Sequence, residues 1–164
     1  MDAEPTVVDE LFSSHPEATM SSNRHIYSKD QTACAKESCA SNYTRGYQDH
    51  MRQTLSEALD IIRKKIEECD YFFGFNFTHS ISGGCGSGSV DYLMENLKTQ
   101  YPKKMLINFP IFPSKNISNI VTGYYNSLLS SHAFLESTDA TFPITNEELY
   151  SFMEKKLDVS SPRY

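Results

Sequence analysis

The stretch His79-Ser80-Ile81-Ser82-Gly83-Gly84-Cys85-Gly86-Ser87-Gly88 separates two segments of opposite periodicity. Before it, Tyr71, Phe73, Phe75 and Phe77 alternate with Phe72, Gly74, Asn76 and Thr78, the period of a strand. After it, Val90, Leu93, Met94 and Leu97 recur at helical spacing. A Gly-rich turn from strand into helix suits a phosphate. Successive N–H groups form an anion-binding nest, and the helix start adds N–H groups and the positive end of its dipole. Glycine also permits positive φ and close approach to a ligand. The same glycines equally fit a tight strand-to-helix turn needed on steric grounds alone. No Lys-Ser/Thr follows the last glycine, so this is not a Walker A loop, and the spacing does not match the dinucleotide fingerprint.

Upstream, Leu55, Ala58, Leu59, Ile62, Ile66 and Cys69 make one apolar helical stripe. Thr54 and Glu57 fit a capping box at its start, and the helix is predicted to end near Cys69-Asp70. Downstream, Pro102 closes the second helix. Met105 to Phe112 reads as a strand buried on both faces. A third helix is predicted over roughly 119–136, weakened at Gly123, and a short strand over 141–144. Asn146 is the predicted N-cap of a last helix that opens with Glu147 and Glu148 and carries Leu149, Met153 and Leu157. Helix and strand alternate throughout. That order implies parallel strands with helical crossovers, an α/β three-layer sandwich whose ligands bind beyond the carboxyl ends of the strands. Residues 1–47 are the irregular part and 48–164 hold the regular α/β part of one domain.

Composition narrows the function. The 164 residues are 39% hydrophobic and 22% charged, which fits one globular domain and excludes a fibrous or wholly disordered class. A net charge of -6 disfavours nucleic acid, which needs a positive patch. The longest basic run, Arg63-Lys64-Lys65, falls on the first helical stripe and reads as a solvated face. No membrane-length apolar run and no signal peptide are evident. The four cysteines, Cys34, Cys39, Cys69 and Cys85, form no C-x-x-C pair and read as reduced thiols rather than a zinc motif. A nucleophilic Cys85 with His79 as its base has no evident third member.

Several segments resemble the tubulin family in order along the chain. Ser82–Gly88 is similar to the family's Gly-Gly-Gly-Thr-Gly-Ser-Gly turn, with Ser82 for the first glycine and Cys85 for threonine. Asp2-Ala3-Glu4-Pro5-Thr6-Val7-Val8-Asp9-Glu10 resembles Asp-Leu-Glu-Pro-Thr-Val-Ile-Asp-Glu. Asn42-Tyr43-Thr44-Arg45-Gly46 resembles Asn-Tyr-Ala-Arg-Gly, and Tyr125-Asn126-Ser127 with His132 fits Tyr-Asn-Ser…His. Asn146-Glu147 with Tyr150, and Pro162 with Tyr164, resemble the base-binding end. Thr6–Glu10, Leu135-Glu136 with Asp139, and Leu157-Asp158 favour the α branch.

The resemblance implies GTP and Mg2+ as ligands. Gly83, Gly84, Cys85, Gly86 and Ser87 would contact the phosphates, and Ala40, Ser41 and Asn42 would form the loop near the γ-phosphate. Asn146 would bond the guanine, Tyr164 would stack on it, and Glu4 with Asp2 would face the metal. Cys85 is a poorer donor than threonine, and Gly123 stands where the family has an acidic residue for the ribose, so weaker GTP binding is expected. The resemblance also implies tubulin subunits as partners in the cytoplasmic microtubule cytoskeleton. Hydrolysis there needs a neighbour's loop, so no turnover is expected of this chain alone. The family's first strand is expected upstream of Met1, and its second base-contacting Asn beyond Tyr164. Two further readings stand: a tubulin-derived interaction protein that holds no nucleotide, and a fragment with no function of its own.

Overall fold

The computed structural model describes residues 29–35, 37–114 and 121–158. Within them helix and strand alternate as the periodicity predicts. The elements are α1 (Met51–Glu67), β1 (Gly74–Ser80), α2 (Val90–Gln100), β2 (Met105–Phe112), α3 (Gly123–Ser137), β3 (Ala140–Thr141), β4 (Ile144–Thr145) and α4 (Asn146–Leu157). Every strand pairing is parallel. β1 runs beside β2 from Gly74↔Met105 to Ser80↔Ile111. β3 and β4 both lie on the other side of β2, at Ile107–Asn108 and Ile111–Phe112.

That interrupted third strand differs from the single strand predicted over 141–144. Pro143 has no N–H to extend the ladder, and the pairing resumes only at Ile144. Phe142 still donates its N–H to Asn108 O at 2.8 Å, so β2 stays paired across the break. β1 likewise starts three residues later than the aromatic alternation suggests, because its partner begins at Met105. Tyr71 and Phe73 are exposed. Phe72 turns back, edge-on to Phe75 at 4.9 Å.

Two predicted caps change hands. A π-helical turn, Arg45–His50, leads straight into α1. Thr54 therefore sits inside the helix, and its hydroxyl donates to His50 O at 3.0 Å instead of capping. At α4 the N-cap is Thr145, whose Oγ1 accepts from Glu148 N at 3.4 Å, and Asn146 is the first helical residue.

The core gathers Ile81 after β1, Met94 of α2, Leu106 of β2 and Phe134 of α3, with Phe75, Phe77, Val90 and Phe112 against it. Asp139 fastens its edge, accepting from Leu106 N at 2.8 Å and from Lys98 Nζ at 2.6 Å. The Lys98 bond, then the Leu106 N–H, hold the Asp139 carboxyl below its usual range. α3 is turned the unusual way. Gly123, Asn126, Ser127, Ser130, Phe134 and Ser137 face inward, while Tyr125, Leu128 and Leu135 are exposed, Leu135 at 85%. Its inward serines stay satisfied by local bonds, as Ser127 Oγ to Gly123 O at 2.7 Å and Ser137 Oγ to Ala133 O at 2.7 Å.

One inward hydroxyl reaches a charge. Ser130 Oγ donates to Asp91 Oδ1 at 3.0 Å, and Asp91 is fully buried in the first turn of α2. Burial pushes Asp91 up to about 8, against the opposing pull of the Ser130 bond and the nearby Tyr43 hydroxyl. The folded chain thus holds a proton that the unfolded chain releases. Stability from this group falls as pH rises from about 4 toward 8 and is level above that. Replacing Asp91 with Asn removes the slope. Thermal melts of both proteins between about pH 5 and pH 8 should show the Asp91→Asn advantage growing with pH, since titrating groups that do not interact with Asp91 cancel in the difference.

Candidate functional site

The carboxyl ends of β1, β2 and β4 line up, since Ser80 pairs with Ile111 and Phe112 with Thr145. Three predicted groups therefore share one edge of the sheet: the turn at Gly83–Ser87, the loop Ala40–Asn42 beside it, and Asn146 directly after β4. Asp2, Glu4 and Tyr164 lie outside the described residues.

After β1 the chain crosses Ile81–Gly83 and enters a π-helical segment, Cys85–Ser89, that continues into α2. No glycine of the turn takes positive φ, contrary to the expectation from the sequence. Space is the reason for them instead. A Cβ on Gly84 would lie 2.6 Å from both Asn42 N and Asn42 O, and one on Gly86 would lie 2.0 Å from Ser80 O. Gly83 is different, because a Cβ there would meet nothing within 4 Å. The turn is packed backbone-to-backbone on one side and open at Gly83.

The side chains of the turn face inward. Ser87 is 0% exposed, and its Oγ and N–H both donate to Gly83 O, at 2.6 and 3.1 Å. Its observed part is to shape the turn. His79 reaches forward from β1 to Gly86 O through Nδ1, while its Nε2 lies 2.9 Å from Asn108 Oδ1. Burial lowers the His79 pKa, so the ring holds the turn in its neutral form. His79 is therefore engaged with backbone and not with Cys85. The histidine beside Cys85 is His50, whose Nε2 is 3.9 Å from the sulfur.

Cys85 is bonded to Cys39, which corrects the reading of these two as separate reduced thiols. Cys34 and Cys69 are not in disulfides. The link joins the turn to the loop that follows Cys39. There Ala40 and Ser41 take left-handed φ of 47° and 52°, which is costly for residues with a Cβ. Asn42 Oδ1 accepts from Thr44 N at 3.0 Å and so turns the chain into the π-helical segment Arg45–His50.

Ala40 N donates to Ser38 Oγ at 3.1 Å, while the second of these residues, Ser41, is held by Asn126, at 4% exposure. Its Nδ2 donates to Ser41 O and to Ser82 O, each at 2.9 Å, and its Oδ1 accepts from Tyr43 N at 3.2 Å. Thr122 Oγ1 adds a second donor to Ser41 O at 2.8 Å. One amide thus joins α3, the loop and the turn. The sequence reading gave Asn126 no part in the site. Its available signal was a lone Asn on the inward face of a helix, among small residues.

The fold and this turn define an α/β protein of parallel strands with a Gly-rich strand–turn–helix at the carboxyl edge. Residues 1–154 match the Tubulin/FtsZ family, GTPase domain, and the chain belongs to that family. It is 38% identical to the tubulin alpha chain of Eremothecium gossypii, 36% to the tubulin alpha-1 chain of Saccharomyces cerevisiae and 37% to the tubulin alpha-1B chain of Physarum polycephalum. Each similarity covers all of this chain and 35% of the relative's length.

Two substitutions separate the tie from the strain beside it. Asn126→Ala removes three hydrogen bonds and leaves buried groups unpaired, for an expected loss of about 2–4 kcal/mol in urea unfolding. Ala40→Gly relieves a left-handed alanine, and the same measurement should show a gain of roughly 1 kcal/mol.

Proposed function

We propose that this chain is a tubulin-type guanine-nucleotide-binding unit that takes GTP with Mg2+ at the carboxyl edge of its sheet. The observation that carries the reading is the contrast within one turn, closed at Gly84 and Gly86 and open at Gly83. The helical segment starting at Cys85 directs its first N–H groups and its positive end toward the N-terminal side, where a phosphate is stabilised.

In this reading Gly83, Gly84, Cys85 and Gly86 supply backbone N–H groups, and Ser87 fixes the Gly83 carbonyl. Ala40, Ser41 and Asn42 form the wall toward the γ-phosphate. Their unusual backbone, held at Ser41 by Asn126, supports a loop whose shape has a use. Asn146 is relieved of capping by Thr145, which leaves its amide for the guanine edge. Tyr164 would stack on the base, and Glu4 with Asp2 would stand on the metal side, as the family resemblance gives those roles. Tubulin subunits in the cytoplasmic microtubule cytoskeleton are the proposed partners. GTP hydrolysis would await a neighbour's loop, so the isolated chain binds without turnover.

The exposed Leu128, Leu135 and Phe152 favour a second reading, an interaction protein that engages tubulin subunits without nucleotide. Melting the chain with Mg2+ and either GTP or ATP distinguishes them. A site that binds only the folded state stabilises it by about 2.7 kcal/mol at a hundredfold excess over Kd. The expected result is a higher melting temperature with GTP alone. Gly83→Ala should reduce that shift while leaving the ligand-free melt unchanged, because a Cβ there meets nothing within 4 Å. A folded protein with no GTP shift would transfer the assignment to the interaction protein.

A further inference from the structure

Beside the turn lies a cluster of side chains that the proposed nucleotide site, which draws on the backbone of Cys85, leaves unused. The Sγ atoms of Cys39 and Cys85 and a ring nitrogen of His50 all lie within 4.8 Å of one another. Both cysteines are buried and His50 is half-buried. We propose that Cys39, Cys85 and His50 form a binding site for a zinc-type divalent cation when the two sulfurs are reduced.

The donor set is the first argument. Two thiolates and one imidazole are the soft and borderline ligands that zinc prefers, and three protein ligands leave one position open. Spacing is the second. Zinc bonds of about 2.3 Å to sulfur and about 2.0 Å to nitrogen, at tetrahedral angles, place sulfur and nitrogen about 3.6 Å apart. Cys85 Sγ and His50 Nε2 stand 3.9 Å apart already. The two cysteine Cα atoms are 5.8 Å apart, near enough for both sulfurs to reach one ion after a rotation about χ1.

The third argument is the tautomer. Ser89 Oγ donates its single proton to Gly46 O at 3.0 Å. Toward His50 Nδ1, 3.2 Å away, that oxygen can only accept, so Nδ1 carries the ring proton. The lone pair is then on Nε2, the nitrogen directed at Cys85. A metal-binding histidine is oriented in this way by a partner on its other nitrogen. Access is the fourth. A cleft of about 320 Å3 lined by Ala33, His50, Met51, Thr54, Ala58 and Cys85 opens onto the cluster and gives the ion a way in.

The disulfide and the metal are alternative states of the same sulfurs. A dithiol reductant passes two electrons and two protons to the Cys39–Cys85 bond and closes to its own cyclic disulfide. The divalent ion then displaces the two thiol protons and takes both sulfurs as thiolates. GTP is not needed for this site, so its test is independent of nucleotide binding.

The full chain, reduced with a dithiol and desalted without air, is titrated with Co2+. The expected result is a thiolate-to-cobalt absorption band with the visible bands of tetrahedral cobalt, saturating at one equivalent and bleached by Zn2+. Cys85→Thr and Cys39→Ala should lose the band. Ser89→Ala, which removes the acceptor on Nδ1, should weaken binding about 10-fold or more. A Cys34→Ala/Cys69→Ala protein should keep the full signal and guards against a folding failure in the other variants. No band in the reduced chain, or a band that survives Cys85→Thr or disappears with Cys34 and Cys69, overturns the proposal.

Discussion

The side chain of Asn126 is the contact on which the carboxyl edge of this protein depends. Its amide meets two carbonyls and one N–H from segments far apart in sequence, Ser41 and Tyr43 on one side and Ser82 on the other. Those groups are at the ends of their segments, and a peptide group left unpaired in the interior costs more than a typical bond gains. The amide has an acceptor and two donors in one rigid plane, which is the combination these three groups need. The orientation of α3 follows. A helix that must present Asn126 at this point also turns Ser127 and Ser130 inward, and its leucines consequently face out.

That inversion explains what periodicity missed. The alternation of helix and strand was legible because α2 buries Met94 and Leu97 at helical spacing and the stripe of α1 is half-buried at the same spacing, whereas β2 is buried on one face, through Leu106, Asn108 and Pro110, and not on both as the apolar run suggested. α3 obeys hydrogen bonding instead, so its apolar residues mark the wrong face. The caps failed for a related reason. Thr54 and Thr145 both carry a hydroxyl of the capping type, and the path of the preceding chain, helical before Thr54 and extended at Thr145, decides that only Thr145 caps. Pro143 divides the last strand through the loss of one N–H, although the pattern on either side is that of a strand.

At the Gly-rich turn, the sequence suggested one use for the glycines and the structure has another. The glycines suggested positive φ, while the structure uses Gly84 and Gly86 as gaps through which neighbouring backbone passes. Both uses produce the same string of letters, and only coordinates separate them. The neighbourhood of Cys85 was not legible at all. Cys39 and His50 are distant along the chain, and their meeting depends on the π-helical segments Arg45–His50 and Cys85–Ser89 lying side by side. Gly46, where a Cβ would sit 2.2 Å from Gly84 O, shows how closely those segments approach.

The bond between Cys39 and Cys85 also changes how the edge can assemble. It spans 46 residues, and the ring it closes contains the whole of α1 and β1. In an open chain, the Ala40–Asn42 loop and the Gly83 turn must find each other by a long-range search, and contacts of that kind slow folding. In the closed ring they are neighbours from the start. The oxidised chain therefore carries this loop and this turn as a local contact even before the sheet forms, and what remains for folding is the pairing of the strands and the docking of α3 with its single amide.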